Sequence, residues 1–189
     1  MPSLEIELFN KIKEENIFTK FPVFIETGTF KGETIFKMEK LFNELHTIEI
    51  KKSFYDNVKN NYNGKKINFH YGDSSDILTI LLPRINQKCV IFLDGHWSSG
   101  NTGRGKKDCP LFEELTHINN LLNVEAIIII DDCRLFGKGP NIGNMNENWE
   151  DINKDNLLNV INNRIKDVYF LPSIICNNDR LIIHINSIL

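Results

Sequence analysis

The sequence predicts a doubly wound α/β fold. This is a mostly parallel, seven-stranded sheet with an antiparallel terminal hairpin, in one domain spanning residues 1–189. Three observations carry the prediction. Short apolar runs alternate with segments of helical periodicity along most of the chain. The runs Val23-Phe24-Ile25, Cys89 to Leu93 and Ala126 to Ile130 are continuously apolar, as strands covered on both faces are. Finally, acids follow the runs: Glu26, Glu49, Asp94 and Asp131-Asp132 close four of them, and Asp73 comes just after a fifth.

Taken in order, Leu4, Leu8, Ile12 and Ile17 lie near helical spacing, so Ser3 to about Phe18 reads as an opening helix with Ser3 as its N-cap. Pro22 breaks that pattern and a buried strand, Val23 to Ile25, runs into Glu26. From Gly32 to Leu45 the residues Ile35, Phe36, Met38, Leu41, Phe42 and Leu45 suit a helix, and His46 to Ile50 is the next strand. A helix through Phe54 and Val58 reaches a turn at Asn63-Gly64, then the strand Ile67 to Tyr71. A helix from Ile77 to Leu82 precedes the strand Cys89 to Leu93. Trp97 to Asp108 is a loop rich in Gly, Ser and Lys, and Pro110 starts a helix that reaches Leu122.

Ala126 to Ile130 is the most apolar strand; the polar stretch Gly137 to Asn148 after it reads as a mobile loop. Asp155 to Ile165 looks helical. Val168 to Leu171 and Leu181 to Ile185, joined through Asn177-Asn178-Asp179, read as a hairpin that adds an antiparallel edge strand.

Composition removes several function classes. The formal net charge of -3 leaves no basic footprint for a nucleic-acid partner. No apolar stretch approaches the roughly 20 residues that span a bilayer, so no membrane partner is expected. Cys89, Cys109, Cys133 and Cys176 are scattered without Cys-x-x-Cys pairing, which argues against disulfide or zinc frameworks. The acidic, amphipathic start is unlike a signal peptide, so the expected location is cytoplasmic, with homo-oligomerisation open.

Ligands of doubly wound sheets bind beyond the carboxyl ends of the strands. The first strand runs into Glu26-Thr27-Gly28-Thr29-Phe30-Lys31-Gly32. Gly28 permits a tight turn and close backbone approach, and Gly32 lets the next helix begin against a ligand. The spacing is not the Gly-x-Gly-x-x-Gly of a dinucleotide loop, and Glu26 would repel a pyrophosphate while suiting an ammonium. Glu49, roughly twenty residues further on, lies where a carboxylate accepts from ribose hydroxyls. Asp73 and Ser74 fall where an adenine amino group would lie, although Asp73 reads equally as a helix N-cap.

Together, Glu26 to Gly32, Glu49 and Asp73 resemble the cofactor motifs of class I S-adenosylmethionine-dependent methyltransferases, in motif order over nearly the whole chain. Phe92-Leu93-Asp94-Gly95-His96 followed by Ile130-Asp131-Asp132 is similar to the macrocin O-methyltransferase-like group, which methylates sugar hydroxyls. The resemblance implies a Rossmann-like methyltransferase fold. It implies S-adenosylmethionine bound by Glu26, Thr27, Gly28, Gly32, Glu49, Asp73, Ser74 and Asp94. It further implies a divalent metal such as Mg2+ on Asp94, Asp131 and Asp132. His96 stands where that group has a basic Asp, so it is assigned as the catalytic base, with a ligand or structural role as alternatives.

Elementary chemistry agrees. Converging carboxylates favour a hard cation between them, which would stabilise a developing alkoxide. Asp132 reads alternatively as a turn cap. The expected acceptor is a sugar, nucleotide sugar or glycoside; a catechol-like phenol and a non-catalytic binding protein are the other readings. Arg104, Lys106 and Lys107 make the loop after His96 either a closure over an anionic acceptor or a solvated loop. Trp97 and Trp149 could stack on a sugar but are better placed in packing.

Overall fold

The computed structural model describes residues 4–188. Ser3, the expected N-cap of the opening helix, lies outside them. Seven strands form one sheet: β1 (Val23–Thr27), β2 (Glu44–Glu49), β3 (Ile67–Tyr71), β4 (Cys89–Leu93), β5 (Ala126–Ile130), β6 (Ile165–Leu171) and β7 (Arg180–Ile185). Their spatial order is β3-β2-β1-β4-β5-β7-β6. All neighbours are parallel except that β7 runs antiparallel to both β5 and β6. The hairpin is therefore present, but its antiparallel strand is interior. β6 takes the edge, because the five aliphatic residues of β5 need an apolar partner on their open side and the fully buried β7 supplies it.

The continuous apolar runs resolve into two faces once the pleat is imposed. Val23, Ile25, Ile91, Ile128 and Ile183 enter the core covered by the helices α4 (Ser74–Leu81), α5 (Leu111–Leu121) and α6 (Lys154–Ile161). Phe24, Val90, Ile127, Ile129 and Ile182 enter the opposite core, built with Leu4, Leu8, Phe9 and the helices α1 (Ile17–Lys20) and α2 (Glu33–Met38). There the rings of Phe9, Phe18, Phe24 and Phe42 meet at centroid distances of 5.1 to 5.8 Å. The helix α3 (Lys52–Asn60) completes the set. No helix among the described residues is long and apolar enough to cross a membrane.

Two predicted helices are shorter than their periodicity suggests. The opening segment is a 3-10 helix over Ile6–Lys11, an extended Ile12, and the short α1 after a left-handed Asn16. Leu4, Leu8, Ile12 and Ile17 are all buried as expected. What breaks the helix is tertiary: the Lys13 amide donates to the Tyr169 hydroxyl (2.8 Å) instead of to the preceding turn. The helix expected to reach Leu45 stops at Met38, because Leu45 pairs with Phe24 in the sheet. Lys66 takes its orphaned carbonyls, donating to the oxygens of Glu39 and Phe42 (both 3.0 Å). Similarly, Arg164 reaches the carbonyls of Ile118, Asn119 and Val124 and fastens the end of α5.

Candidate active site

The strand order reverses between β1 and β4, and the acids after the strands gather there. Gly28 makes the junction possible. Its φ is +84°, and a Cβ would stand 2.3 Å from the Asp94 carbonyl oxygen, so the turn after β1 lies directly on the turn after β4. A cavity at this junction is lined by Gly28, Phe30, Glu49, Asp73, Ser74, Asp94 and His96, among others.

On the β1–β2–β3 side the acids are held by local backbone. Glu49 accepts from the amides of Phe30 and Lys51 (both 2.7 Å). Burial raises its pKa, and those two amides oppose the rise. Asp73 divides its carboxylate. Oδ1 accepts from the Ser75 amide and hydroxyl (3.0 and 2.8 Å), capping α4, while Oδ2 accepts from the Lys106 amide (3.2 Å). Capping and facing the cavity are thus both satisfied by one residue.

Glu26 is 1% exposed; its Oε1 accepts from Thr47 (2.8 Å) and its Oε2 has no partner. Burial pushes its carboxyl up to about 8, with the nearby Glu49 charge adding to the effect. A buried carboxyl with an orphaned oxygen at a glycine turn fits an ammonium group. Three residues expected at the cofactor, Glu26, Thr27 and Gly32, do not line the cavity. Thr27 accepts from the Asp94 amide (3.3 Å), and Gly32 heads α2 against Val58 and Phe36.

On the β4–β5–β7 side the acids meet other side chains. His96 is buried, its Nδ1 3.6 Å from Asp94 Oδ1 and its Nε2 3.4 Å from Asp132 Oδ2 and 3.8 Å from Glu147 Oε2. Trp149, buried at 1% exposure, sets its ring against the imidazole at 4.9 Å. Burial lowers the His96 pKa, with Asp132 opposing. Asp94 Oδ1 has no partner, and burial followed by the charges of Asp131 and Asp132 raises that carboxyl well above its ordinary value.

Ligand-capable atoms of Asp94, His96 and Asp132 lie within 4.8 Å of one another, a donor set that fits a cation. Two of the expected trio, Asp94 and Asp132, thus meet at His96. Asp131 accepts from Arg180 Nε (3.1 Å), and Arg180 also pairs with Glu5. A second acidic group, Asp131, Asp132 and Asp179, is compensated by the guanidinium groups, since Arg134 bridges Asp132 and Asp179.

Three contributors went unassigned in the sequence. Glu114 sits at the spacing of Leu111, Leu115 and Ile118 on the buried face of α5, a periodic signal that was legible. Its carboxyl lies under the site against Ser74 and Thr27, and burial pushes it up to about 7. Glu147 and Arg180 had no local signal.

The structure pairs the charges of the basic loop with acids of this chain. Arg104, Lys106 and Lys107 pair with Asp108, Asp76 and Glu113, and Arg104 covers Trp97, so none of the three is poised for an anionic acceptor. Cys89, Cys109 and Cys133 are buried thiols pushed up by burial, as small hydrophobes are.

No family model matches this sequence, and no curated protein does. Solved structures do. A putative caffeoyl-CoA O-methyltransferase from Staphylococcus aureus is 14% identical at a TM-score of 0.59, with 98% of this chain and 86% of that one covered. The N-methyltransferase NodS from Bradyrhizobium japonicum is 9% identical at 0.56, covering 96% and 94%. A putative S-adenosylmethionine-dependent methyltransferase from Listeria monocytogenes is 10% identical at 0.55, covering 97% of each. The fold is that of the class I methyltransferases. The chain spans only 48% and 49% of two larger structures that it also matches.

Proposed function

We propose that this chain is an S-adenosylmethionine-dependent O-methyltransferase acting on a hydroxyl of a sugar, nucleotide sugar or glycoside, of the macrocin O-methyltransferase-like kind. The observation that carries the reading is one continuous cavity. It is bordered at one end by Glu49 and Asp73 and at the other by Asp94 and His96. A methyl donor and a proton acceptor would share it.

When bound, S-adenosylmethionine supplies a methyl group on cationic sulfur, and a divalent cation such as Mg2+ supplies charge that lowers the acceptor's pKa. Glu26 Oε2 would hold the amino-acid ammonium, Glu49 the ribose hydroxyls and Asp73 Oδ2 the adenine amino group. Asp94 stands 3.6 Å from His96 Nδ1. His96 Nε2 then takes the acceptor's proton, with Asp132 and Glu147 beside it to balance the imidazolium. Trp149 closes the far side of the ring to water. Asp94 and Asp132 would hold the cation, while Asp131 holds Arg180.

A second reading, transfer without metal, is favoured by one observation: Arg134 and Arg180 already compensate Asp132 and Asp131. Calorimetric titration with S-adenosylhomocysteine, then a screen of nucleotide sugars and glycosides with labelled donor, tests the proposal. Cofactor binding and label on a sugar hydroxyl are expected. Absence of binding at millimolar cofactor would overturn it, and turnover that survives exhaustive chelation would select the metal-free form. Label on a catechol or an amine instead would replace the acceptor class.

A further inference from the structure

The loop between β4 and α5 lies back across the cavity. Its ends are clasped, the Trp97 amide donating to the Asp108 carbonyl (2.7 Å), so residues 98–107 form a closed excursion. The tip rests on the wall that would face adenosine. A Cβ on Gly103 would stand 2.3 Å from Ile50 Cγ2, and one on Gly105 would stand 2.5 Å from Asp73 Oδ2. The Lys106 amide donates to that same Asp73 Oδ2, and Lys51 reaches back to the carbonyl and side chain of Asn101. The cavity left beneath is about 40 Å3, which admits a few water molecules and no nucleoside.

An adenine amino group and the Lys106 amide are both N–H donors, and Asp73 Oδ1 is already committed to α4. They therefore call on the same oxygen, and the loop fills the space from which adenine would approach it. We infer that residues 101–107 are a displaceable plug whose backbone stands in for adenine, so that cofactor binds by expelling the loop. This rests on the cofactor assignment proposed above and adds its regulation.

The plug's outer anchor is built to yield. Lys106 meets Asp76 at 2.6 Å, but both side chains are more than 60% exposed, so the pair is screened by water and salt. The clasp at Asp108 is buried and holds Arg104 and the Asn148 amide, which confines the movement to the tip. Release would free Lys106 from Asp76 beside an occupied cofactor site.

Because Arg104, Lys106 and Lys107 all sit on this segment, trypsin reads its position. The full chain is digested briefly with and without S-adenosylhomocysteine, with cuts mapped by mass, while calorimetry reports binding separately. Cofactor is expected to speed cleavage after these three residues several-fold over other sites. Neither Gly103 nor Gly105 has a positive φ, so Gly103→Ala and Gly105→Ala test space alone. Each is expected to tighten binding several-fold and to leave the loop cleavable without ligand.

Protection by S-adenosylhomocysteine, or weaker binding in both alanine variants at an unchanged melting temperature, would overturn the plug, making the loop a clasp that closes on cofactor. Tighter binding by the alanine variants than by the natural chain, with cofactor-accelerated cleavage of the loop, would support it. If neither binds, the cofactor assignment falls and the plug with it.

Discussion

The two halves of the site satisfy their acids differently. On the β1–β2–β3 side, Glu49 and Asp73 are met by backbone amides and a hydroxyl, those of Lys51 and Ser75 close by in sequence and those of Phe30 and Lys106 from neighbouring loops. On the β4–β5–β7 side, Asp131 and Asp132 are met by the guanidinium groups of Arg180 and Arg134, one far away in sequence and one close, while Asp94 Oδ1 lies unpartnered 3.6 Å from His96. The first half is made by turn chemistry, the second by the completed fold. Changes in the first should cost affinity, and changes in the second should cost chemistry or stability.

The largest expected effect is on turnover. His96→Ala should lower kcat by about 10²–10⁴ while leaving the dissociation constant of S-adenosylhomocysteine unchanged, as single-turnover kinetics and calorimetry would show. An unaltered kcat would remove His96 as the base. Next comes stability in the same half. Arg180→Met strands Asp131 and Glu5 without their cation and should destabilise the chain by about 3–5 kcal/mol in urea titrations. A cost close to zero would show that the guanidinium is not what binds this half together.

Across the site, Glu49→Gln should weaken S-adenosylhomocysteine by about ten- to a hundredfold, the worth of hydrogen bonds to a charged group, with a small change in melting temperature. If it instead unfolds the protein and spares affinity, the contrast between the halves is inverted. The smallest effect concerns pH. Glu26 is raised from 4.5 to about 8, so the folded state binds the extra proton between those values. That stability is complete below 4.5 and is lost as pH rises through 8. The melting temperature of the empty protein should fall across this window, and Glu26→Gln should flatten the fall. The slope that remains combines Glu114, raised to about 7, Glu49 and the Asp94 cluster with the opposite slope of the buried histidines, among them His70, lowered to about 4. A Glu26→Gln variant whose melting temperature follows pH just as the natural chain's does would refute the assignment.

The same contrast explains what was legible beforehand. Strand ends, the Gly28 turn and the spacing to Glu49 and Asp73 are properties of short stretches, and the structure gathers them round one cavity. Glu26, Thr27, Gly32, Asp131 and Asp132 stand back from its lining. Glu147 and Arg180 could not be read, because neither belongs to a motif and each is brought in by distant packing. Which of the two adjacent acids meets which partner was not legible either, because they look equivalent in a sequence and are told apart only by distant groups. Asp132 faces His96, while Asp131 turns to Arg180. The opening helix failed where a partner from β6 took its backbone donor.

One consequence follows from the interior position of β7. It is the last strand to be synthesised, yet it seats between two strands made before it and carries Arg180 to Glu5, 175 residues away. A chain emerging from the ribosome can pair β1 to β5, and with them gather Glu49 and Asp73, well before Asp131 has its guanidinium. Folding of the sheet is thereby ordered in time, with β7 the strand that must insert late between its neighbours.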